Sequence, residues 1–564
     1  MTPPTLSPQG RSVQVPFPSL TAHLDRLRSR LSGLPVLRRI LGGPEADVHV
    51  VLAQGLLASI LVMVGSWGVG MLATSQDSLF ARAALLNMLR ADPAVVVAAS
   101  ILLALGLMLL CRAWLRLGQR TMSGSADMTV VRRAVLSWSA PMMLAFPIYS
   151  RDVYSYLAQG RLLHQDLNPY ENWVSQLPGW YAEGSDSLWS ESPSPYGPLF
   201  LIFARATYFL TGGVPEIGVM VLRLFAAAGV LVCLYAVPRL ASEHGVSPSW
   251  ATWICIANPF FLVAMVGGVH NDSVMVGGTL LAFLLIYRNR RVLGIVAAGV
   301  AIAIKPIVVL ALPFVGLALL RRPSQADLPE PGLSRKLPAW VGVGLVAGLT
   351  LAAFGAASGL WFGWIEAMAT AGTAAFPYAP IGLLGLIVGW VASWFGADAT
   401  VVSGVVYSGF RALSIVLTVW WAFRLRAADA VLGCALALSA AALLAPVIQP
   451  WYLLWLAPLF AVHRRYSDLL GIAWYVVSMV LVLIVAIEQL SVAQWIESLP
   501  VQITAGVVGV LYLAYIMLVD PKTATLFVPL RAAVVDRWVG RFGLPEGRPT
   551  GTAGRTSSGG SPRE

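Results

Sequence analysis

SRDVYSYLAQGRLLHQDLNPYE, residues 150–171, opens a polar and aromatic stretch that extends over 150–197 and runs out through SPSPYGP at 192–198. It is the longest interruption of its kind in an otherwise apolar sequence, and the fold and the chemistry both follow from how it is read. Ser150, Arg151 and Asp152 come directly after an apolar segment ending at Ile148 and Tyr149, so the acid emerges at a membrane surface. Ser150 is a residue type that caps helices. From 151 to 164 the spacing is helical, with Val153, Leu157, Gly160 and His164 on one side and Asp152, Tyr156, Gln159 and Leu163 on another. Asn168-Pro169 ends that helix. An acid in a first helical turn has a plain structural use, because the macrodipole favours it by about 0.3–1 kcal/mol. Around it, however, stand Arg151, Tyr154, Tyr156, Arg161, Asn168 and Tyr170, the aromatic and hydrogen-bonding groups that a sugar-binding surface requires.

The rest of the chain is written for lipid. Hydrophobic residues make up 57% and charged residues 12%, with a mean hydropathy of +0.74, where a soluble domain carries roughly a quarter charged residues. The net charge of +11 does not point to nucleic acid. The basic residues sit in the termini and in short loops between apolar runs, which is the pattern that orients a polytopic membrane protein. Cys111, Cys233, Cys255 and Cys434 lie in or beside apolar runs without CxxC spacing, so they read as small buried hydrophobes and not as a disulfide or zinc framework.

With about 20 apolar residues per crossing and arginine-rich loops placed in the cytoplasm, spans are expected near 48–73, 93–116, 134–149, 217–238, 249–268, 273–287, 338–360, 402–422, 431–447, 451–462, 468–487 and 501–519. Between them, 292–304 stops at Lys305-Pro306 and resumes to Leu320. The short runs 198–212 and 381–396 fit better as re-entrant or outer-face helices. The expected architecture is all-α and polytopic, with about fourteen spans and both ends in the cytoplasm. Residues 1–45 form a cytoplasmic leader with a surface helix around 19–41, 46–519 the membrane domain, and 520–564 a tail with a disordered end. In this topology Asp152, Tyr196, His270-Asn271-Asp272, Lys305 and Gln449 to Tyr452 converge on the outer half of the membrane.

Each of these has two readings. Lys305 interrupts an apolar run at a Lys-Pro break, and a charge at such depth marks a functional site unless it snorkels to the interface; a broken helix there lines a cavity, and a lysine in it suits a lipid phosphate. His270, Asn271 and Asp272 would hydrogen-bond a sugar or phosphate, or form a turn with Asp272 capping the next helix; one His and one Asp are too few for a metal. Gln449, Trp451 and Tyr452 stack on substrate or belong to an interfacial aromatic belt. Arg223 opens a span on the outer side and meets phosphate or simply sits at the interface. No P-loop, GxGxxG after a strand, soluble nucleotide-sugar domain or GxSxG is present, so the energy comes from the substrate itself or from an ion gradient. Two classes answer to that description: an enzyme using an activated lipid-linked substrate, and a secondary transporter or flippase of lipid-linked saccharides.

SRDVYSYLAQG, a following YGP, an NP span leading to HND, a Lys-Pro break and QPWYLLW, in that order over most of 48–519, resemble the polyprenol-phosphate-mannose-dependent α-(1→6)-mannopyranosyltransferases of actinobacteria, of the MptA and MptB kind in the GT-C superfamily. The resemblance implies a GT-C glycosyltransferase fold whose outer catalytic loop, 150–197, carries an aspartate that Asp152 matches. It implies a polyprenyl-phosphate-mannose donor entering from the bilayer with its phosphate near Lys305, a mannan lipoglycan acceptor, membrane lipids as surroundings, and no required metal or other cofactor. Two spans before the aspartate loop, where many GT-C enzymes have one, are a departure from that pattern.

Overall fold

The computed structural model describes residues 48–321, 330–370, 375–490 and 498–530. The leader with its surface helix, and most of the tail, lie outside the described residues. Within them every regular element is helical, so the chain is an all-α polytopic membrane protein.

The outer loop is preceded by α1 (Val48–Val69), α2 (Ala84–Ala91), α3 (Pro93–Met122) and α4 (Met128–Met142). It contains α5 (Asp152–His164) and hands over to α6 (Pro198–Leu210) and the long α7 (Pro215–Glu243). Then come α8 (Pro248–Cys255), α9 (Pro259–Leu262), α10 (Asp272–Tyr287), α11 (Arg291–Ile304) and α12 (Leu312–Ala318). The C-terminal half holds α13 (Leu333–Ser358), α14 (Trp364–Thr370), α15 (Pro380–Ser393), α16 (Ala399–Arg424), α17 (Ala430–Leu443), α18 (Leu453–His463), α19 (Asp468–Leu490) and α20 (Ser498–Ala514).

Among the described residues seven helices are long and apolar enough to cross a bilayer alone, or eight if α8 and α9, bent by 59° at their break, count as one span. The remaining apolar helices have 10–17 residues. At about 1.5 Å per residue, helices of that length cover less than a hydrocarbon core of about 30 Å. Several of the breaks fall at X-Pro pairs, because proline removes a donor and pushes its predecessor out of the helical region. Asn258-Pro259, Lys305-Pro306 and Gln449-Pro450 are such points, and each lies at a junction between helical segments.

α5 starts one residue later than the sequence suggests: its N-cap is Arg151, with no side-chain cap, and Ser150 Oγ instead accepts from the Asp152 N–H at 3.0 Å in the turn before it. Tyr149 just before it has φ 80° and Asp166 just after it φ 58°, which fixes sharp turns at both ends. The helix is buried nearly all round and packs along α6. At the start of α6, Gly197 donates its N–H to Ile304 O at 3.0 Å, and a Cβ on it would sit 2.3 Å from Ala303 O. The backbone before Lys305 is thus pressed against the end of the outer loop. Gly197→Ala is expected to cost about 1–3 kcal/mol by overpacking, read as a lower Tm in detergent. An unchanged Tm would show that the contact is slack.

Candidate active site

The breaks converge. A cavity of about 490 Å³ lies between the outer loop, the Lys305-Pro306 break, α16, and the connection from α17 to α18; its walls include Asp152, Gln159, Tyr196, Lys305, Gln449 and Trp451. Apolar side chains share the lining, among them Ile307, Leu310, Ile365, Met368, Ile415 and Leu444, of which Ile365 and Ile415 are exposed. A cavity of that size is in the range of small-ligand sites.

Asp152 and Lys305 are both buried. Lys305, at the end of α11, donates to Asp272 Oδ1 at 2.6 Å, and Trp455 Nε1 donates to the same oxygen at 2.5 Å. The ammonium lies 4.9 Å from the Trp455 ring and 5.7 and 5.6 Å from those of Tyr196 and Tyr452, a cation in an aromatic cage. Asp272 is therefore not a free helix cap; it is the counter-ion of Lys305. His270 donates from Nδ1 to Ala264 O at 2.7 Å, and its Nε2 is 3.8 Å from Asp152 Oδ2. Trp451 packs over the His270 ring at 4.2 Å. Burial pushes the Asp152 carboxyl above its usual value, against the opposing pull of His270 and Lys305.

The sequence-predicted residues divide into two groups. Asp152, Tyr196, Lys305, Gln449, Trp451 and Tyr452 face the cavity, and His270, Asn271 and Asp272 stand behind the acid, fully buried. The others do not reach the cavity and hold the outer loop instead. Arg151 donates to Gly184 O at 3.2 Å, Arg161 to Pro178 O and Glu183 at 2.9 and 2.6 Å, and Tyr154 to Met71 O at 2.9 Å. Asn168 accepts from Tyr170 N–H and donates to Glu171, and Tyr170 donates to Tyr196 O at 2.9 Å. Tyr156 supports Tyr196 edge-on at 5.2 Å. A long loop has many backbone polar groups to satisfy, and Arg151, Tyr154, Arg161, Asn168 and Tyr170 each satisfy one.

Arg223 is corrected in the same way. It is 2% exposed, and its guanidinium donates to Met143 O, Val266 O and Gly267 O at 3.0, 3.2 and 3.4 Å. Those last two carbonyls belong to a π-turn, Val263–Gly267, that continues α9. Arg223 is tied to the break that carries His270 and is absent from the cavity lining.

The sequence reading passed over Arg411, in the middle of α16, which lines the cavity together with Ser414 one turn on. The signal was there, since a charge inside an apolar span is costly enough to mark a functional position.

A profile described as the N-terminal domain of α-(1→6)-mannopyranosyltransferase matches residues 52–321, and one described as the MptB C-terminal domain matches 379–515. Asp152, His270 and Lys305 fall in the first and Arg411, Gln449 and Trp451 in the second, so the cavity is built from both. Over 441 residues the chain is 32% identical to α-(1→6)-mannopyranosyltransferase A of Mycobacterium tuberculosis, a match covering 75% of this chain and 82% of that protein. The chain belongs to the α-(1→6)-mannopyranosyltransferase family. Another α-(1→6)-mannopyranosyltransferase A, from Corynebacterium glutamicum, is 30% identical over 62% of this chain and 75% of its own length. A probable α-(1→6)-mannopyranosyltransferase of Mycolicibacterium smegmatis is 31% identical over 73% and 78%. Membership separates the two classes left open by composition, because these relatives are named as transferases and not as transporters.

Proposed function

We propose that this α-(1→6)-mannopyranosyltransferase-family member is an inverting enzyme that moves mannose from a polyprenyl phosphate to the 6-hydroxyl of a growing α-(1→6)-mannan on a lipid anchor, the core of lipomannan and lipoarabinomannan. The work is done at the outer face of the plasma membrane by the single domain 46–519, with both termini cytoplasmic. The observation that carries this is the cavity that brings Asp152, Lys305 and Arg411 together with an apolar lining of Ile307, Leu310, Ile365, Met368, Ile415 and Leu444. A sugar joined through phosphate to an isoprenoid chain combines the same kinds of group.

Asp152 acts as general base. It takes the proton of the acceptor hydroxyl as that oxygen attacks the anomeric carbon and the bond to phosphate breaks, its electron pair leaving on the phosphate. Lys305 has Asp272 as counter-ion, and Arg411 stands with it in the cavity lining. Arg411 suits the donor phosphate, since a guanidinium can grip two phosphate oxygens at once. Both cations then hold the charge that develops on the leaving group.

Membranes containing the protein, given radiolabelled polyprenyl-phosphate mannose and a short α-(1→6)-mannoside, are expected to place label in the mannoside. Label that stays lipid-linked would refute transfer from this donor. The outer placement has its own check. Tyr181 is 70% exposed on the loop, and Arg290 is exposed in the turn between α10 and α11. Tyr181→Cys should react with an impermeant thiol reagent in intact cells and Arg290→Cys only after lysis; the reverse pattern would put the cavity on the cytoplasmic side. The four native cysteines are buried and should contribute little background.

A further inference from the structure

We propose that His270 is the second proton-handling group of the site, taking from Asp152 the proton that Asp152 removes from the acceptor hydroxyl. This rests on the reading of Asp152 as the base. The Ala264 carbonyl can only accept, so the hydrogen bond at 2.7 Å fixes a proton on Nδ1. Nε2 is then the basic nitrogen of the neutral ring, and it has no hydrogen-bond partner among the described residues although the side chain is wholly buried. It faces Asp152 Oδ2 at 3.8 Å. No other described group stands against Nε2, so the pair is placed to share a proton.

The backbone is arranged to hold the ring there. Val269, immediately before His270, has φ 59°, a conformation that a β-branched residue adopts only under strain, and such strain gathers at functional positions. The π-turn Val263–Gly267 includes Ala264, whose carbonyl takes the Nδ1 proton; π-turns recur at functional sites. A side chain at Gly268 would meet the His270 ring at 3.0 Å. Trp451 on one face and Tyr149 at 6.5 Å limit rotation of the imidazole. This strain and packing would be surplus to a histidine that merely filled space.

The proton balance is simple. The acceptor O–H breaks and its proton goes to Asp152 Oδ2; the oxygen's pair forms the bond to the anomeric carbon; the carbon–phosphate-oxygen bond breaks with its pair leaving on the phosphate. Asp152 then passes the proton to Nε2 and returns to carboxylate; as products leave, the proton goes back through Asp152, which lines the cavity, to water. The other charged groups beside the pair are Lys305 and Asp272, joined to one another, and Asp186 on the outer loop, whose charge opposes ionisation of Asp152.

His270→Asn is the informative variant, because its amide N–H2 stands where Nδ1–H stands and can keep the bond to Ala264 O while Nε2 is lost. The expected result is a folded protein with an unchanged KM for polyprenyl-phosphate mannose and kcat lowered about 10²-fold. In His270→Ala, added imidazole should restore part of the rate, while pyrazole, of the same shape but far less basic, should not. A His270→Asn enzyme with wild-type kcat, or equal rescue by imidazole and pyrazole, would overturn the proposal. Failure of this proposal is distinguishable from failure of the base reading: in the first case Asp152→Asn is inactive and His270→Asn active, in the second Asp152→Asn itself is active.

Discussion

Asp152→Asn is expected to lose mannosyl transfer by about 10² or more while staying folded and still binding the donor lipid. The change keeps size and hydrogen-bonding capacity and removes only the basic oxygen. A carboxyl serving the helix dipole would behave differently, with a stability loss of about 1 kcal/mol or less and little effect on turnover. The sign of the stability change separates the two further. Burial raises the Asp152 pKa in the folded protein, so keeping the group ionised costs stability above its unfolded pKa, and Asn removes that cost. The Tm of Asp152→Asn at neutral pH should therefore equal or exceed that of the wild type, and the wild-type rate should fall on its acid side at a pH above the ordinary carboxylate range. Near-normal turnover in a folded Asp152→Asn protein would refute the base role. Asp272 would be a poor substitute as base, since it is committed to Lys305.

Lys305→Ala is the second large effect, and it acts on two quantities at once. Removing the ammonium leaves Asp272 buried with Trp455 Nε1 still donating to one of its oxygens, and breaking a buried pair from one side costs about 3–5 kcal/mol. In the proposed mechanism the same change withdraws a cation from the donor phosphate, so the KM for the lipid donor is expected to rise and turnover to slow, with Lys305→Arg retaining part of the activity. Stability and function are separable by removing both charges together. The double variant Lys305→Met, Asp272→Asn should recover most of the Tm, because it removes both buried charges and keeps an acceptor for Trp455 Nε1, yet remain defective in donor use. If the double variant recovers donor kinetics as well as Tm, the pair is structural only.

Much of the fold was legible because a bilayer leaves few alternatives. Apolar runs become helices, and each expected span finds helix in the structure, down to the arrest at Lys305-Pro306 and the short helices at 198–210 and 380–393. Length in sequence did not settle which runs cross completely, since that depends on where prolines break the helix and which pieces are then buried by neighbours. Asp152, Tyr196, Lys305, Gln449, Trp451 and Tyr452, which line the cavity, stood out as candidates because polar and aromatic residues at breaks in an apolar chain are conspicuous. Arg151, Arg161 and Arg223 look the same in sequence and serve backbone carbonyls, and Asn168 serves a backbone N–H. Only geometry separates a polar group that pairs with the chain from one that faces a cavity. The Lys305–Asp272 pair spans 33 residues, and no spacing rule predicts it. Arg411 was available to the same argument as Lys305, and its place in an otherwise regular helix hid it.

The most direct test of single displacement at Asp152 is the anomeric configuration of the product made by the purified wild-type protein in liposomes from a β-linked polyprenyl-phosphate mannose of known stereochemistry. The account predicts a new α-(1→6) linkage, with inversion at the anomeric carbon. A β-linked product, formed with retention, would contradict it, because retention requires two displacements and a nucleophile in place of a base.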